Sequence, residues 1–190
     1  MPSHHIQGLI AATFTPMKGD GSLNLSVVEP IVDHLLNDGV EGLYVCGSTG
    51  EGPSLSSEER KAVAEAYLEA VAGRVPVIVQ VGHNSLAEAK DLARHAQASG
   101  ADAISAVPPS YFKPKSLEVL VACLEEVTGA APELPFFYYH IPQLSDVVLD
   151  MPELLERAQT ALPTLAGVKY SSTNVYELQA CLEAAEGRYR

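Results

Sequence analysis

One short run in the middle of the chain, Val75-Pro76-Val77-Ile78-Val79-Gln80-Val81, is apolar at every position except Gln80. A strand with one face in water alternates apolar and polar residues, whereas a strand covered on both faces is apolar almost throughout. This run therefore predicts a buried strand of a parallel sheet with helices packed on it. It is far shorter than the stretch of about 20 apolar residues that spans a bilayer, so no membrane partner is predicted.

Apolar runs of the same kind occur on both sides of this strand and alternate with helical stretches. The predicted strands lie at residues 8–13, 42–46, 76–81, 103–107, 136–139 and 167–170. The predicted helices lie at residues 27–36, 57–71, 86–98, 117–127, 152–161 and 175–186. Residues that commonly cap a helix N-terminus precede four of these helices, namely Ser56, Ser85, Asp150 and Asn174. The pattern is a series of strand–helix units.

Such a series predicts an α/β fold with right-handed crossovers, either a (β/α)8 barrel or an open doubly wound sheet. The dinucleotide-binding form of the open sheet carries Gly-x-Gly-x-x-Gly after its first strand, and that motif is absent there. A closed barrel has eight units and about 250 residues, whereas this chain has 190 residues and ends after the sixth helix. We therefore expect residues 1–190 to form a single TIM-barrel domain that is truncated after the sixth unit, with its C-terminal strands and helices missing.

Composition excludes several classes of partner. The chain has 24 acidic and 12 basic residues and a formal charge of −12, without a Lys/Arg cluster, so no nucleic-acid partner is predicted. Residues 1–5 contain neither the basic nor the apolar segment of a signal peptide. Cys46, Cys123 and Cys181 fit neither a disulfide framework nor a Cys-x-x-Cys metal site. The sequence therefore predicts a cytoplasmic protein without a metal.

A hydroxyl pair follows the second predicted strand. In both architectures ligands bind at the carboxyl ends of the strands, and here the chain reads Gly47-Ser48-Thr49-Gly50-Glu51-Gly52. Adjacent hydroxyls flanked by glycines can offer several donors to one oxyanion, which would hold a carboxylate without a basic residue. No lysine follows the glycines, so the loop is not a Walker A motif. The alternative is a glycine-rich turn with local hydrogen bonds.

The sixth predicted strand contains a lysine, Lys169, in an apolar setting. Desolvation disfavours the charged form of a lysine and leaves an amine that can attack a carbonyl. The alternative is a lysine whose stem is buried and whose ammonium reaches water.

Aromatic residues occur at two other strand ends. Tyr138 and Tyr139 end the fifth predicted strand and should face opposite sides of the sheet. An inward phenol can transfer a proton, although an aromatic strand is also common in a core. His140 is either a base or a structural histidine. Tyr111, in the proline-rich loop after the fourth strand, can reach an active site in its own or a neighbouring subunit, or can pack against another subunit.

Several of these segments together resemble the family of N-acetylneuraminate lyases and dihydrodipicolinate synthases. The matching segments are Gly47-Ser48-Thr49-Gly50-Glu51, Tyr138-Tyr139-His140-Ile141-Pro142, Gly167-Val168-Lys169 and residues 8–16. They occur in the family's order and span essentially the whole chain. The resemblance implies a class I aldolase on a TIM barrel that needs no cofactor and is a homotetramer at full length.

The resemblance also implies a role for each candidate residue. Lys169 would form an imine with a 2-oxo acid, and Tyr139 would relay a proton during cleavage or formation of the carbon–carbon bond. Ser48 and Thr49 would bind the substrate carboxylate. Tyr111 falls where the synthases carry a tyrosine that reaches across a subunit interface.

Within the family, the sequence favours the lyases. Tyr-Tyr-His-Ile-Pro is lyase-like, Ser48 replaces the usual threonine of the synthases, and Leu144 stands where the synthases carry an arginine. The implied reaction is the reversible cleavage of N-acetylneuraminate to pyruvate and N-acetylmannosamine, with a 2-oxo acid and an amino sugar as small-molecule partners. The alternatives are another 2-oxo-acid aldolase or 4-hydroxy-tetrahydrodipicolinate synthase, and an inactive fragment that acts at most as a binding module. The family's residues for the sugar tail are expected mostly beyond Arg190.

Overall fold

The computed structural model describes residues 6–189, and its strands form one sheet. The strands are β1 (Ile10–Ala12), β2 (Gly42–Val45), β3 (Val77–Gln80), β4 (Ala103–Ala106), β5 (Phe136–His140) and β6 (Leu165–Tyr170). Their order in the sheet is their order in the chain, and β1/β2, β2/β3 and β5/β6 pair in parallel. A doubly wound sheet reverses its strand order at a switch point. The uninterrupted order is that of barrel winding.

Helices separate the strands at the predicted places. They are α1 (Val28–Asn37), α2 (Ser57–Val71), α3 (Leu86–Ala98), α4 (Leu117–Thr128), α5 (Pro142–Ser145), α6 (Met151–Ala161) and α7 (Val175–Gly187). Each predicted strand and helix is confirmed, with bounds that differ by at most two residues. The short helix α5 was not predicted. The interpretation of residues 1–5 lies outside the described residues.

The predicted helix caps are confirmed. The Ser56 side chain accepts the N–H of Glu59 while the Glu59 carboxylate accepts the N–H of Ser56, which makes a capping box. Ser85 accepts the N–H three residues further on, and Asp150 and Asn174 do the same for α6 and α7. These bonds satisfy N–H groups that the first turn of a helix leaves without partners, so the caps fix where each helix begins.

The chain divides into two compact units, each with its own core. The first unit is Met1–Gln80 with Arg94–Ile104, and the second is Val81–Ala93 with Ser105–Arg190. Buried core residues of the first unit include Val32, Leu43, Val45, Val63, Tyr67 and Ile104. Those of the second include Leu120, Leu124, Phe136, Tyr138, Met151, Leu154 and Leu155. The assignment of residues 1–190 to a single domain stays a prediction.

The helices described between residues 6 and 189 include none that is long and apolar enough to cross a membrane.

Candidate active site

Tyr139 and Lys169 lie side by side in the second unit. They are directly opposite in the register of β5 and β6, and opposite residues of neighbouring strands project from the same face of a sheet. The Nζ atom of Lys169 lies 3.8 Å from the centroid of the Tyr139 ring. The lysine is half-buried, whereas Tyr139 is only 4% exposed. An amine and a phenol therefore meet at the end of two neighbouring strands.

A hydroxyl that the sequence reasoning missed also contacts the lysine. Nζ of Lys169 donates a hydrogen bond of 3.2 Å to Oγ of Ser171. The backbone N–H of Ser171 in turn donates to the carbonyl of His140 at 2.9 Å. The signal for Ser171 was its position two residues after the lysine, because alternate residues of an extended chain share a face.

The neighbouring tyrosine, Tyr138, belongs to the opposite face of β5. Its ring lies 6.3 Å from that of His140, two residues along the strand. Burial raises the pKa of the Tyr138 hydroxyl well above its usual value, since no water stabilises a phenolate there. The prediction that the two tyrosines face opposite sides is confirmed, and Tyr138 is a core residue.

Behind the Tyr139–Lys169 pair, His140 is 2% exposed and Tyr170 lies directly opposite it on β6. Both side chains reach the carboxylate of Glu177 on α7. Sequence reasoning singled out neither Tyr170 nor Glu177. The available signal was that Glu177 precedes the buried Cys181 by four residues, which places both on one helix face.

In the first unit, the loop that carries Ser48 and Thr49 turns sharply after β2. Both residues are exposed, while Thr15 donates to the carbonyl of Gly50 at 2.6 Å. A Cβ at Gly50 would stand 2.9 Å from the carbonyl oxygen of Thr13, and one at Gly52 would stand 1.9 Å from that of Cys46. Both positions accommodate only glycine, because a side chain would push the loop away from the backbone beneath it.

A buried arginine supports the same unit. Arg60 on α2 is 2% exposed and donates to the backbone and side-chain oxygens of Gln80 at the end of β3. Burial lowers the pKa of its guanidinium. Sequence reasoning missed Arg60, although its spacing from Ala64, Tyr67 and Val71 places it on the buried stripe of the helix.

Cys46, directly before the hydroxyl loop, is a buried core residue. Burial raises the pKa of its thiol to about 11, so it stays protonated and unreactive near neutral pH. Among the described residues, no group of three or more His, Cys, Asp and Glu side chains could hold a metal ion.

Tyr111 stands on an anchored loop in the second unit. The N–H groups of Ser110 and Tyr111 donate to the side-chain oxygen of Asn84 at 2.9 and 3.0 Å. The Tyr111 side chain is 77% exposed and packs edge-on against Phe112 with ring centroids 5.0 Å apart. The structure thus fixes the backbone of this loop and presents two aromatic rings to the outside.

These observations define a class of protein: a barrel-wound α/β chain with an amine and a phenol at the carboxyl ends of neighbouring strands. The model of the dihydrodipicolinate synthetase family matches residues 5–189. The chain belongs to this family, and the family resemblance seen in the sequence is confirmed.

The relatives of this chain include N-acetylneuraminate lyases and a dihydrodipicolinate synthase. N-acetylneuraminate lyase A of Xenopus laevis is 47% identical over 179 residues, which are 93% of this chain and 59% of the relative. The solved N-acetylneuraminate lyase of Proteus mirabilis is 41% identical with a TM-score of 0.93, covering 96% of this chain and 61% of that one. A solved dihydrodipicolinate synthase is 31% identical with a TM-score of 0.87, covering 94% and 61%.

Two further solved structures bear on the site. A catalytic lysine mutant of the Ruminococcus gnavus sialic acid aldolase is 33% identical with a TM-score of 0.90, covering 97% of this chain and 59% of that one. A prophage protein of the dihydrodipicolinic acid synthase family from E. coli K12, in complex with pyruvate, is 31% identical with a TM-score of 0.90, covering 97% and 62%. The TIM-barrel fold is thereby confirmed, and the chain spans 59% to 62% of the length of these relatives.

Proposed function

We propose that this chain belongs to a Schiff-base aldolase that reversibly cleaves N-acetylneuraminate to pyruvate and N-acetylmannosamine, in sialic acid catabolism. The observation that carries the proposal is the contact between the amine of Lys169 and the ring of Tyr139. The substrate is supported by identity of 47% and 41% to N-acetylneuraminate lyases, against 31% to a synthase.

Lys169 is the proposed nucleophile. Its amine adds to the C2 carbonyl of the open-chain keto acid, and loss of water leaves an iminium that withdraws electrons from the neighbouring carbon. Support comes from the sialic acid aldolase that has a catalytic lysine and from the relative solved with pyruvate. No step of the proposed reaction uses a metal or an organic cofactor.

Tyr139 is the proposed proton carrier. The Tyr139 hydroxyl gives its own proton to the water that is lost when the iminium forms. As the C3–C4 bond breaks, the Tyr139 oxygen then takes the proton of the C4 hydroxyl, and the bonding electrons move into the iminium to form an enamine. N-acetylmannosamine leaves with a new aldehyde group. Protonation of the enamine at C3 and addition of water then release pyruvate and restore the amine of Lys169. The proximity of ring and amine supports this role because both groups act on neighbouring atoms of one substrate.

Ser48 and Thr49 are the proposed ligands of the substrate carboxylate. Their exposed side chains on a tightly turned loop support this role, because donors held in place before binding lose little freedom on binding.

Tyr111 is proposed to reach a neighbouring subunit of a homotetramer. Its exposed aromatic pair with Phe112 supports a subunit contact, since aromatic residues are enriched at protein interfaces. We also propose a cytoplasmic location, which the free thiols of Cys46, Cys123 and Cys181 support.

The lyase reaction is preferred over the synthase reaction because of Leu144. It lies on α5 with its side chain 68% exposed, in the position where the synthases carry an arginine. An apolar side chain offers no cation to a second carboxylate.

The test is pyruvate release from N-acetylneuraminate, followed with lactate dehydrogenase and NADH. We expect release by the full-length protein that contains this chain and by its Lys115→Ala variant, which changes an exposed lysine outside the strands, and none by its Lys169→Ala variant. Release by Lys169→Ala at the parent rate, or no release by the parent, would overturn the proposal.

A further inference from the structure

A polar cluster lies directly behind the Tyr139–Lys169 pair, on the opposite face of β5 and β6. We call it the rear cluster: His140, Tyr170 and Glu177. His140 and Tyr170 follow Tyr139 and Lys169 by one residue and are paired in the same register. Successive residues of a strand project to opposite faces. On β5, Tyr139 therefore faces the front and His140 the rear, and on β6 the same holds for Lys169 and Tyr170.

Glu177 joins both strands to α7. The Tyr170 hydroxyl lies 2.6 Å from Oε2 of Glu177 and 2.8 Å from the carbonyl oxygen of Asn174, so its proton is shared between two acceptors. Nε2 of His140 lies 3.4 Å from the same Oε2. The His140 and Tyr170 rings pack with centroids 5.1 Å apart. Asn174 also accepts the N–H of Glu177 at 3.2 Å, which ties the cluster to the first turn of the helix.

Burial favours the neutral form of the His140 imidazole. Burial lowers its pKa, and the nearby Glu177 carboxylate only partly opposes this. A carboxylate beside Nε2 favours the tautomer with hydrogen on that atom, and within the described chain the buried Nδ1 has no hydrogen-bond partner. The rings of Tyr138 on β5 and Tyr170 on β6 also pack near it, and burial raises the pKa of both phenols.

Such a cluster fixes geometry more than it adds stability. Buried polar groups give little net stability compared with well-packed apolar residues of the same volume, while a connected network permits only a narrow range of positions. The connection to the lysine is short. The carbonyl of His140 accepts the N–H of Ser171, and Oγ of Ser171 accepts the hydrogen bond of Lys169. A displacement of His140 therefore moves the hydroxyl that holds the amine.

We propose that His140, Tyr170 and Glu177 are positioning residues that hold Lys169 and Tyr139 in the geometry required for imine formation. The inference rests on the proposed function, because it concerns the orientation of the proposed nucleophile. It predicts a loss in the saturated rate of imine formation, while half-saturation by pyruvate changes little because none of the three residues is a proposed ligand of the pyruvate carboxylate. A misplacement of about 1 Å can lower a rate by about a hundredfold.

The test is trapping of the imine with pyruvate and cyanoborohydride, with the saturated rate and the half-saturating pyruvate concentration measured for each variant. We expect Glu177→Leu to lower the saturated rate about tenfold to a hundredfold with less than about a threefold change in half-saturation. Glu177→Gln keeps a carbonyl acceptor for Tyr170 and should restore most of the rate. Tyr170→Phe, which removes one hydroxyl and keeps the ring, should lower the saturated rate less, again with little change in half-saturation. If Glu177→Leu does not fold, the rate of Tyr170→Phe tests the inference.

The matched control is Glu65→Leu. It breaks another His–Glu contact, in which Nε2 of His95 lies 2.8 Å from the Glu65 carboxylate, in the other unit. We expect its trapping rate to equal the parent's. Rear-cluster variants that lose thermal stability but keep the parent's saturated rate would overturn the inference and leave the proposed function intact. A parent chain that traps no pyruvate would overturn both.

Discussion

The two faces of β5 and β6 place neighbouring residues in different surroundings. On the front face, the amine of Lys169 rests against the Tyr139 ring and the Ser171 hydroxyl. On the rear face, His140 and Tyr170 both meet the carboxylate of Glu177. On the rear face one carboxylate of α7 thus contacts side chains of both strands, whereas the contacts of the amine on the front face are ones that a keto acid can replace.

The first prediction, with the largest effect, removes the amine from the front face. Lys169→Arg keeps the positive charge, but a guanidinium stays protonated and forms no imine. Borohydride treatment with pyruvate should then leave the protein mass unchanged, whereas the parent gains one reduced pyruvyl group. Lys115→Arg should behave as the parent. An adduct on Lys169→Arg at the parent's level would mean that another amine reacts.

The second prediction compares the two tyrosines of β5. Tyr139→Phe keeps the ring and removes the hydroxyl, so pyruvate release from N-acetylneuraminate should fall by about 10²–10⁴-fold. Tyr138→Phe makes the same change on the rear face and should stay within about threefold of the parent. Equal rates for the two variants would mean that Tyr139, like Tyr138, is a core residue without a role in proton transfer.

Much of the fold was predictable because buried parallel strands have a plain signature. Val77–Gln80 is a continuous buried run, and the caps at Ser56 and Asn174 mark the helix starts. The helix Pro142–Ser145 was not predictable, because four residues are too few to show helical periodicity.

The candidate site was predictable only in part. Lys169 and Tyr139 stand in strand motifs, so their common face follows from strand register. Arg60 and Glu177 lie on helices, and their roles depend on which strand each helix covers. A charged residue on an amphipathic helix normally faces water. For Arg60 and Glu177, only the spacing from buried neighbours indicated a position on the covered side of the helix. The partners of both residues are set by tertiary packing.

The third prediction concerns substrate choice at the end of β5. Because the exposed side chain of Leu144 is apolar and offers no cation itself, aspartate semialdehyde should be a poorer partner for pyruvate than N-acetylmannosamine. A lost charge-assisted hydrogen bond of about 1.5–3 kcal/mol corresponds to roughly a tenfold to hundredfold difference in kcat/KM. Measuring both condensations with the same preparation checks this. Similar kcat/KM values for the two aldehydes would favour the synthase reaction.

The smallest predicted effect is a pH dependence of stability from the rear face. The pKa of His140 in the fold is lowered from its ordinary 6.5, so below that pH the unfolded chain binds a proton that the folded chain does not. Stability from this group is complete above pH 6.5 and is lost as pH falls through the lowered pKa. His140→Asn should therefore lose less Tm than the parent between pH 7.5 and 5.5. For a chain of this size about 1 kcal/mol corresponds to about 2–4 °C. An equal fall in Tm for the parent and for His140→Asn between these pH values would contradict the expected effect of His140.

The most direct test of the central claim is to locate the imine on the unmodified chain. The protein is incubated with pyruvate, reduced with borohydride, digested and mapped by mass spectrometry. We expect one reduced pyruvyl adduct, on the peptide that contains Lys169, and none on peptides that contain Lys18, Lys61, Lys90, Lys113 or Lys115. An adduct on one of those lysines instead, or no adduct at saturating pyruvate, would contradict the account.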